Sequence, residues 1–293
     1  MRVRIWGVRG SIPVPGKGTL KYGGNTPCVQ FERPAGACPD PALIIFDAGS
    51  GIRLLGNSIV EEFPPGTPLD IHLFITHVHW DHIQGFPFFR PLYRENVRLR
   101  LYGPDSTNLE RFLHQQMVPD YFPVSLDHAD VKADVSFIPL DTEPVVVGPV
   151  TVRHHFVNHA NEKAAAGYRV DSPRGGFVFI PDVEPADYPV VNEDNRIERE
   201  LLDFIQGADL MLFDSTYTTE EYPSHRGWGH SPMDYSVSVA ARGGVRRLGL
   251  YHYEPMREDD ELDRLAEQAR LDGEAHGIEV FASREGMILP IGE

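Results

Sequence analysis

Apolar residues along this chain recur mainly with a period of two or in short β-branched runs, a pattern that reads as strands. Such runs lie at residues 2 to 6, 27 to 32, 42 to 47, 69 to 75, 97 to 102, 134 to 138, 145 to 157, 167 to 170, 176 to 181, 209 to 213, 246 to 251 and 278 to 281. Turns rich in Gly and Pro separate them. Helical spacing falls between the strands, most clearly over residues 104 to 118, 196 to 207, 231 to 243 and 258 to 276, the last closed by Gly277. This alternation predicts an α/β chain of layered sheets and helices.

One strand runs straight into unusual chemistry. Leu69-Asp70-Ile71-His72-Leu73-Phe74-Ile75 is followed by Thr76-His77-Val78-His79-Trp80-Asp81-His82. Alternate residues of an extended segment face the same way, so His77 and His79 converge on one ion while Val78 and Trp80 turn towards protein. Asp81 and His82 then bend towards a neighbouring position. Imidazole nitrogens with a carboxylate suit zinc, and such N/O donors leave manganese and iron open.

This H-x-H-x-D-H loop resembles the signature of the metallo-β-lactamase superfamily, and the resemblance extends along the chain. Ala42-Leu43-Ile44-Ile45-Phe46-Asp47-Ala48-Gly49 is similar to the family's strand ending in an aspartate that buttresses the metal loop. Val157-Asn158-His159 before Gly167-Tyr168-Arg169, then Phe179-Ile180-Pro181-Asp182 and Gly249-Leu250-Tyr251-His252, match the third histidine, the bridging aspartate and the final histidine. The resemblance implies an αββα metallo-β-lactamase sandwich, two mixed β-sheets flanked by helices, as one hydrolase domain over residues 1–293. It implies that His77, His79 and His159 hold one divalent ion, that Asp81, His82 and His252 hold a second, and that Asp182 bridges them. Coordination lowers the pKa of water towards roughly 7, so a metal-bound hydroxide becomes the nucleophile of a hydrolysis.

Alternatives stand beside several of these residues. His154 and His155 share a strand-like segment with His159 and compete for its place. Asp47 also reads as a turn cap, and His252, between Tyr251 and Tyr253, as a core histidine. His72, His114, His128, His225 and His276 match no motif.

Composition narrows the partners. Of 293 residues, 41% are hydrophobic and 24% charged, enough for a sizeable core in an ordinary globular chain. No apolar run approaches about 18 residues, and Met1–Gly7 enters a strand, so no membrane span and a cytoplasmic location are expected. Cys28 and Cys38 make no metal pair or disulfide framework and read as free thiols. A net charge of −16 without a basic run disfavours long nucleic acids. A small anionic substrate remains compatible, because two ions add about four positive charges locally. A homodimer is compatible too. The Gly-rich stretch 10 to 26 lacks the phosphate-loop order and reads as a structural turn, with the alternative that the resemblance implies, a loop at the rim of the cleft.

A last pair of segments narrows the chemistry. Leu212-Phe213-Asp214-Ser215-Thr216-Tyr217 precedes Gly227-Trp228-Gly229-His230-Ser231-Pro232. This order resembles the RNase Z branch and related cyclic phosphodiesterases, where an acidic residue supports a catalytic histidine. Asp214 stands here for the usual glutamate and Pro232 for the usual threonine. Only residues 160–181 lie between His159 and Asp182, too few for the tRNA-binding arm of RNase Z. Two cysteines do not supply the added structural zinc site of the phosphonate-pathway phosphodiesterase.

The expectation is therefore a binuclear metal-dependent phosphodiesterase for a small or cyclic phosphodiester, with RNase Z-type tRNA processing disfavoured. Asp81, His230 and Asp214 form the catalytic set, His230 stabilising the leaving group while Asp214 fixes its tautomer. His230 also reads as a helix-capping or core histidine. Lactone, thioester or β-lactam hydrolysis, and a non-catalytic metal-binding sensory protein, are the alternative functions.

Overall fold

The alternating runs become two seven-stranded sheets in the computed structural model, which describes residues 1–33, 42–140, 143–159 and 165–292. The first comprises β1 (Arg2–Gly7), β2 (Cys28–Glu32), β3 (Ala42–Phe46), β4 (Leu69–Phe74), β5 (Val97–Gly103) and β6 (Asp134–Pro139), with β14 (Ile288–Pro290) added beside β1. The second comprises β7 (Val145–Val147), β8 (Val150–Val157), β9 (Ala165–Ser172), β10 (Gly175–Ile180), β11 (Leu210–Asp214), β12 (Arg247–Tyr251) and β13 (Glu279–Ala282). β3 to β6 run parallel, as do β10 to β13, while the remaining pairs are antiparallel, so both sheets are mixed. The single run expected over 145 to 157 is a hairpin, because Gly148 takes a left-handed φ of 59° that reverses the chain.

Aromatic side chains bind the sheets face to face. The Phe46 ring of the first sheet lies 5.6 Å from that of Tyr168 and 5.8 Å from that of Phe179 in the second. Helices α1 (Ile52–Glu62) and α3 (Ser106–Gln116) bury Ile52, Leu55, Ile59, Leu109 and Leu113 against the outer face of the first sheet. Helices α4 (Arg196–Ile205), α6 (Met233–Arg242) and α7 (Asp259–Ala275) do the same for the second, and α2 (Trp80–Ile83) and α5 (Tyr222–His225) are single turns. The αββα arrangement matches the expectation. Helix α1 and strand β14 were not foreseen.

Parallel neighbours place their carboxyl ends together. The loops leaving β3, β4, β8, β10, β11 and β12 therefore open at one end of the sandwich, and every expected site residue except His230 sits at such an end. β4 is an interior strand, so its histidines crown the middle of the sheet and not its lateral edge. Cys28 is a buried free thiol; Cys38 lies outside the described residues. Among those residues, no helix is long and apolar enough to cross a membrane.

Candidate metal centre

The chain after β4 stays extended through His79 and then turns into α2, which carries Asp81 and His82 back beneath the first two histidines. This turn ends the alternation at Trp80, so the indole is 70% exposed and does not face protein as its spacing suggested. The His79 ring is exposed as well, whereas His77, Asp81 and His82 are buried.

The seven expected ligands meet. One set joins His77, His79 and His159, and another joins Asp81, His82 and His252, each with donor atoms within 4.8 Å of one another. Asp182 stands between them. Its Oδ1 is 3.9 Å from His77 Nε2 and 3.4 Å from His252 Nε2, and its Oδ2 is 3.1 Å from His82 Nε2. Asp81 Oδ2 is 3.1 Å from His252 Nε2, and His79 Nδ1 is 3.3 Å from His159 Nε2. His154 and His155 pair with Tyr168 and Gly167 along β8 and stay apart from both sets.

Three observations fit this donor set to cations. His77 Nε2, His82 Nε2 and Asp182 Oδ2 are buried without hydrogen bonds, although buried polar atoms are nearly always satisfied. Asp47, Asp81, Asp182 and Asp214 are all buried, and their ion-pair partners among the described residues are only histidines. Burial also holds His77, His79 and His159 below the usual histidine range, which keeps their lone pairs free at neutral pH. Burial opposes charge on His82 too, but Asp81, Asp182 and Asp47 outweigh it and raise its pKa well above the usual value. The proton so attracted occupies the lone pair that a metal would take.

The other ring nitrogens of His77, His82, His159 and His252 are tied down from behind, which fixes their tautomers. His82 Nδ1 donates to Asp47 Oδ2 at 2.8 Å, and His159 Nδ1 donates to the Gly229 carbonyl at 2.7 Å. His77 Nδ1 donates to the Thr76 hydroxyl at 3.2 Å, and that hydroxyl lies 3.0 Å from Asp47. The second sheet repeats the device. His252 Nδ1 donates to Thr216 Oγ1 at 3.3 Å, the Thr216 hydroxyl lies 2.7 Å from Asp214 Oδ1, and Asp214 Oδ2 accepts from His230 Nδ1 at 2.9 Å. His230 is only 12% exposed at its side chain, with its ring 4.9 Å from that of His252. Burial disfavours its charge, yet the adjoining Asp214, with Asp182 and Asp81 beyond, pushes its pKa up to about 9.

Sequence reasoning missed three contributors, Thr76, Thr216 and Glu184. Thr76 and Thr216 carry the relays just described. Glu184 accepts from the Gly227 and Gly229 amides at 2.5 and 3.0 Å, and so positions the carbonyl that orients His159. The Gly-rich stretch 10 to 26 reaches the site as well, in line with the alternative of a loop at the cleft rim and not with a merely structural turn. Ser11 N donates to Asp81 Oδ2 at 2.7 Å, and a Cβ on Gly10 would stand 2.4 Å from His252 Cε1. The signals were present, a threonine abutting each strand end and a glycine-rich loop, but only the fold brings them to the histidines.

Residues 43–253 match the family described as the Beta-lactamase superfamily domain. Ribonuclease Z of Thermoplasma acidophilum is 25% identical, over 92% of this chain and 91% of that protein. YhfI from Bacillus subtilis, a metallo-beta-lactamase fold protein, superposes with a TM-score of 0.68 at 17% identity over 98% of both chains. A diphosphatase from the PhnP family gives 0.66 at 18% identity, over 99% of this chain and 97% of that one. At such identities these two structures report the shared fold.

Proposed function

Because the chain belongs to the beta-lactamase superfamily and is a metal-dependent hydrolase of metallo-β-lactamase fold, we propose that it hydrolyses a small or cyclic phosphodiester at a binuclear centre, as a member of the branch that its ribonuclease Z and PhnP-family likenesses suggest. His77, His79 and His159 would hold one ion and Asp81, His82 and His252 the other, with Asp182 between them; zinc suits these donors best. Bound there, the ions lower the pKa of water and offset charge at the attacked centre.

The observation that carries the reading is the pair His230 and Asp214. With Nδ1 committed to Asp214, Nε2 is left as the ring nitrogen that would hand a proton to the leaving oxygen beside the ligands. The oxygen leaving an alkyl phosphodiester is strongly basic, and a proton delivered from that nitrogen lowers the barrier to its departure. Asp214 stabilises the cation and fixes its orientation. Val183 N, which follows Asp182, also donates to Asp214 Oδ2 at 3.0 Å, so the ligand and the donor share one support.

A second reading, cleavage of an RNA phosphodiester, is favoured by the relative named ribonuclease Z. The net charge of −16 weighs against a long polyanion. So does the short β9–β10 hairpin, which with residues 160–164 spans the interval between His159 and Asp182.

The test is a turnover screen of metal-loaded protein with bis-p-nitrophenyl phosphate, cyclic nucleotides, precursor tRNA, lactones and nitrocefin. Phosphodiesters should exceed the carbonyl substrates by roughly tenfold or more, within the range that positioned proton donors contribute. Faster lactone or nitrocefin opening would refute the assignment, and efficient, salt-sensitive trimming of a tRNA 3′ trailer would select the RNA reading.

A further inference from the structure

We propose a second binding site, for a small compact polyanion in which several phosphate or carboxylate groups are linked, in a groove at the pole of the sandwich opposite the metal centre. This site is separate from the hydrolytic one and does not depend on what that one cleaves.

Strands β4, β5 and β6 run parallel, so the ends at which they begin lie together, away from the loops that carry the histidines. A groove of about 630 Å³ opens there. It is bounded by the end of α1, the Pro65–Gly66 turn before β4, the helical turn Arg90–Tyr93 with Arg94 beyond it, and Lys132 ahead of β6. At about 3.3 Å of rise per residue, β4 sets this groove roughly 20 Å from the His77–His82 segment.

Arg90, Arg94 and Lys132 line this one space, and among the described residues none has a carboxylate within 4.0 Å. Cations farther along the same strands are matched: Arg98 lies in register between Asp70 and Asp134, and Arg100 bonds Asp70. Glu95, the one carboxylate lining the groove, is exposed and pairs with none of the three. In a chain of net charge −16, three uncompensated cations around one concavity favour an anion there.

Arg94 carries a cost that such a ligand offsets. It is half-buried; its Nη1 donates to the Phe63 carbonyl at 2.9 Å, and its Nη2 is buried without an acceptor. A guanidinium withdrawn from water is unfavourable unless negative charge stands near. The bond to Phe63 also holds this cation at the groove wall before any ligand arrives, and the Lys132 amide is fixed on the Leu92 carbonyl at 3.2 Å. With a water molecule taking about 30 Å³ in the liquid, the groove has room for several linked oxyanion groups, not one ion alone. A long nucleic acid or an anionic membrane would also meet the surplus negative charge of the rest of the chain, whereas a compact polyanion meets only the groove.

The test is calorimetric titration of metal-loaded protein with inorganic triphosphate and with citrate at a buffered free-metal level, read beside hydrogen exchange of residues 60–68 and 90–96. At least one of the two should bind and protect those residues, more tightly than orthophosphate by roughly tenfold or more. Lys132→Gln and Arg94→Gln should each weaken binding by roughly tenfold, the scale of one charge-assisted hydrogen bond. Metal content should be retained, and Lys132→Arg should keep most of the affinity. Binding of triphosphate alone would identify the ligand as a linked phosphate, and of citrate alone as a polycarboxylate; either supports the site. No binding of either at low salt, affinities that both Gln variants leave unchanged, or protection confined to residues 77–82 would overturn it.

Discussion

His230 is held by one ring nitrogen and offers the other, and this division of labour makes it testable apart from the ligands. Its replacement by Ala should lower kcat by about 10² to 10⁴ on a phosphodiester with a poor leaving group, the usual contribution of a positioned acid. The loss should be smaller with p-nitrophenolate as leaving group, which departs without a proton, and the bound metal should not change. Equal losses on both substrates would reassign the side chain to electrostatic stabilisation, and loss of metal would make it a ligand. Residues that bear their chemistry in their identity were legible at this scale: histidines and aspartates at strand ends announce a cation site wherever the fold brings them together. Thr76, Thr216 and Glu184 were not, because a hydroxyl or carboxylate that orients a neighbour carries no spacing of its own.

Elements expose where pattern reading fails. Helix α1 escaped notice because Gly56 stands mid-helix, where glycine is unfavourable by about 1 kcal/mol relative to Ala. The fold needs it there: a Cβ would come within 3.0 Å of both Arg90 N and the Phe89 ring. β14 spans only Ile288–Pro290, too short to show a period, and is defined by its pairing with β1. The loop after β1 offers a prediction of this kind. Gly10→Ala should push His252 aside and lower metal content and turnover together by tenfold or more, since overpacking by one methyl typically costs about 1 to 3 kcal/mol. Wild-type metal content in that variant would show that the loop yields instead. The β4–β5 pair offers another. His72, opposite Arg100 and bonded to the Tyr102 hydroxyl at 3.0 Å, has its pKa lowered to about 4, chiefly by burial. The unfolded chain takes up this proton near pH 6.5 and the folded chain only near 4, so His72 makes stability fall as pH drops through that window, by roughly 3 kcal/mol or less. Denaturant titrations of His72→Phe should show a shallower decline between pH 6.5 and 4 than wild type; parallel declines would remove His72 as the cause.

For the whole molecule, the sequence-level pattern led to the right layers because alternating runs can bury two faces only in stacked sheets covered by helices. It did not show which loops meet. That follows from strand order: β8, β10, β11 and β12 release His159, Asp182, Asp214 and His252 at the same end where β3 and β4 release Asp47 and the His77–His82 segment. Two half-sites, one on each sheet, thus close into a single centre only when the sandwich forms, with Asp182 reaching across to His77 and His82. The direct measurement is the metal content of wild type and Asp182→Ala by elemental analysis, after reconstitution with zinc, manganese or iron and removal of the excess. About two ions per wild-type chain are expected, because seven donor side chains exceed what one tetrahedral site takes, and the Asp182→Ala chain should lose metal and turnover together. Fewer than one ion per wild-type chain, or an undiminished complement without Asp182, would contradict the binuclear account.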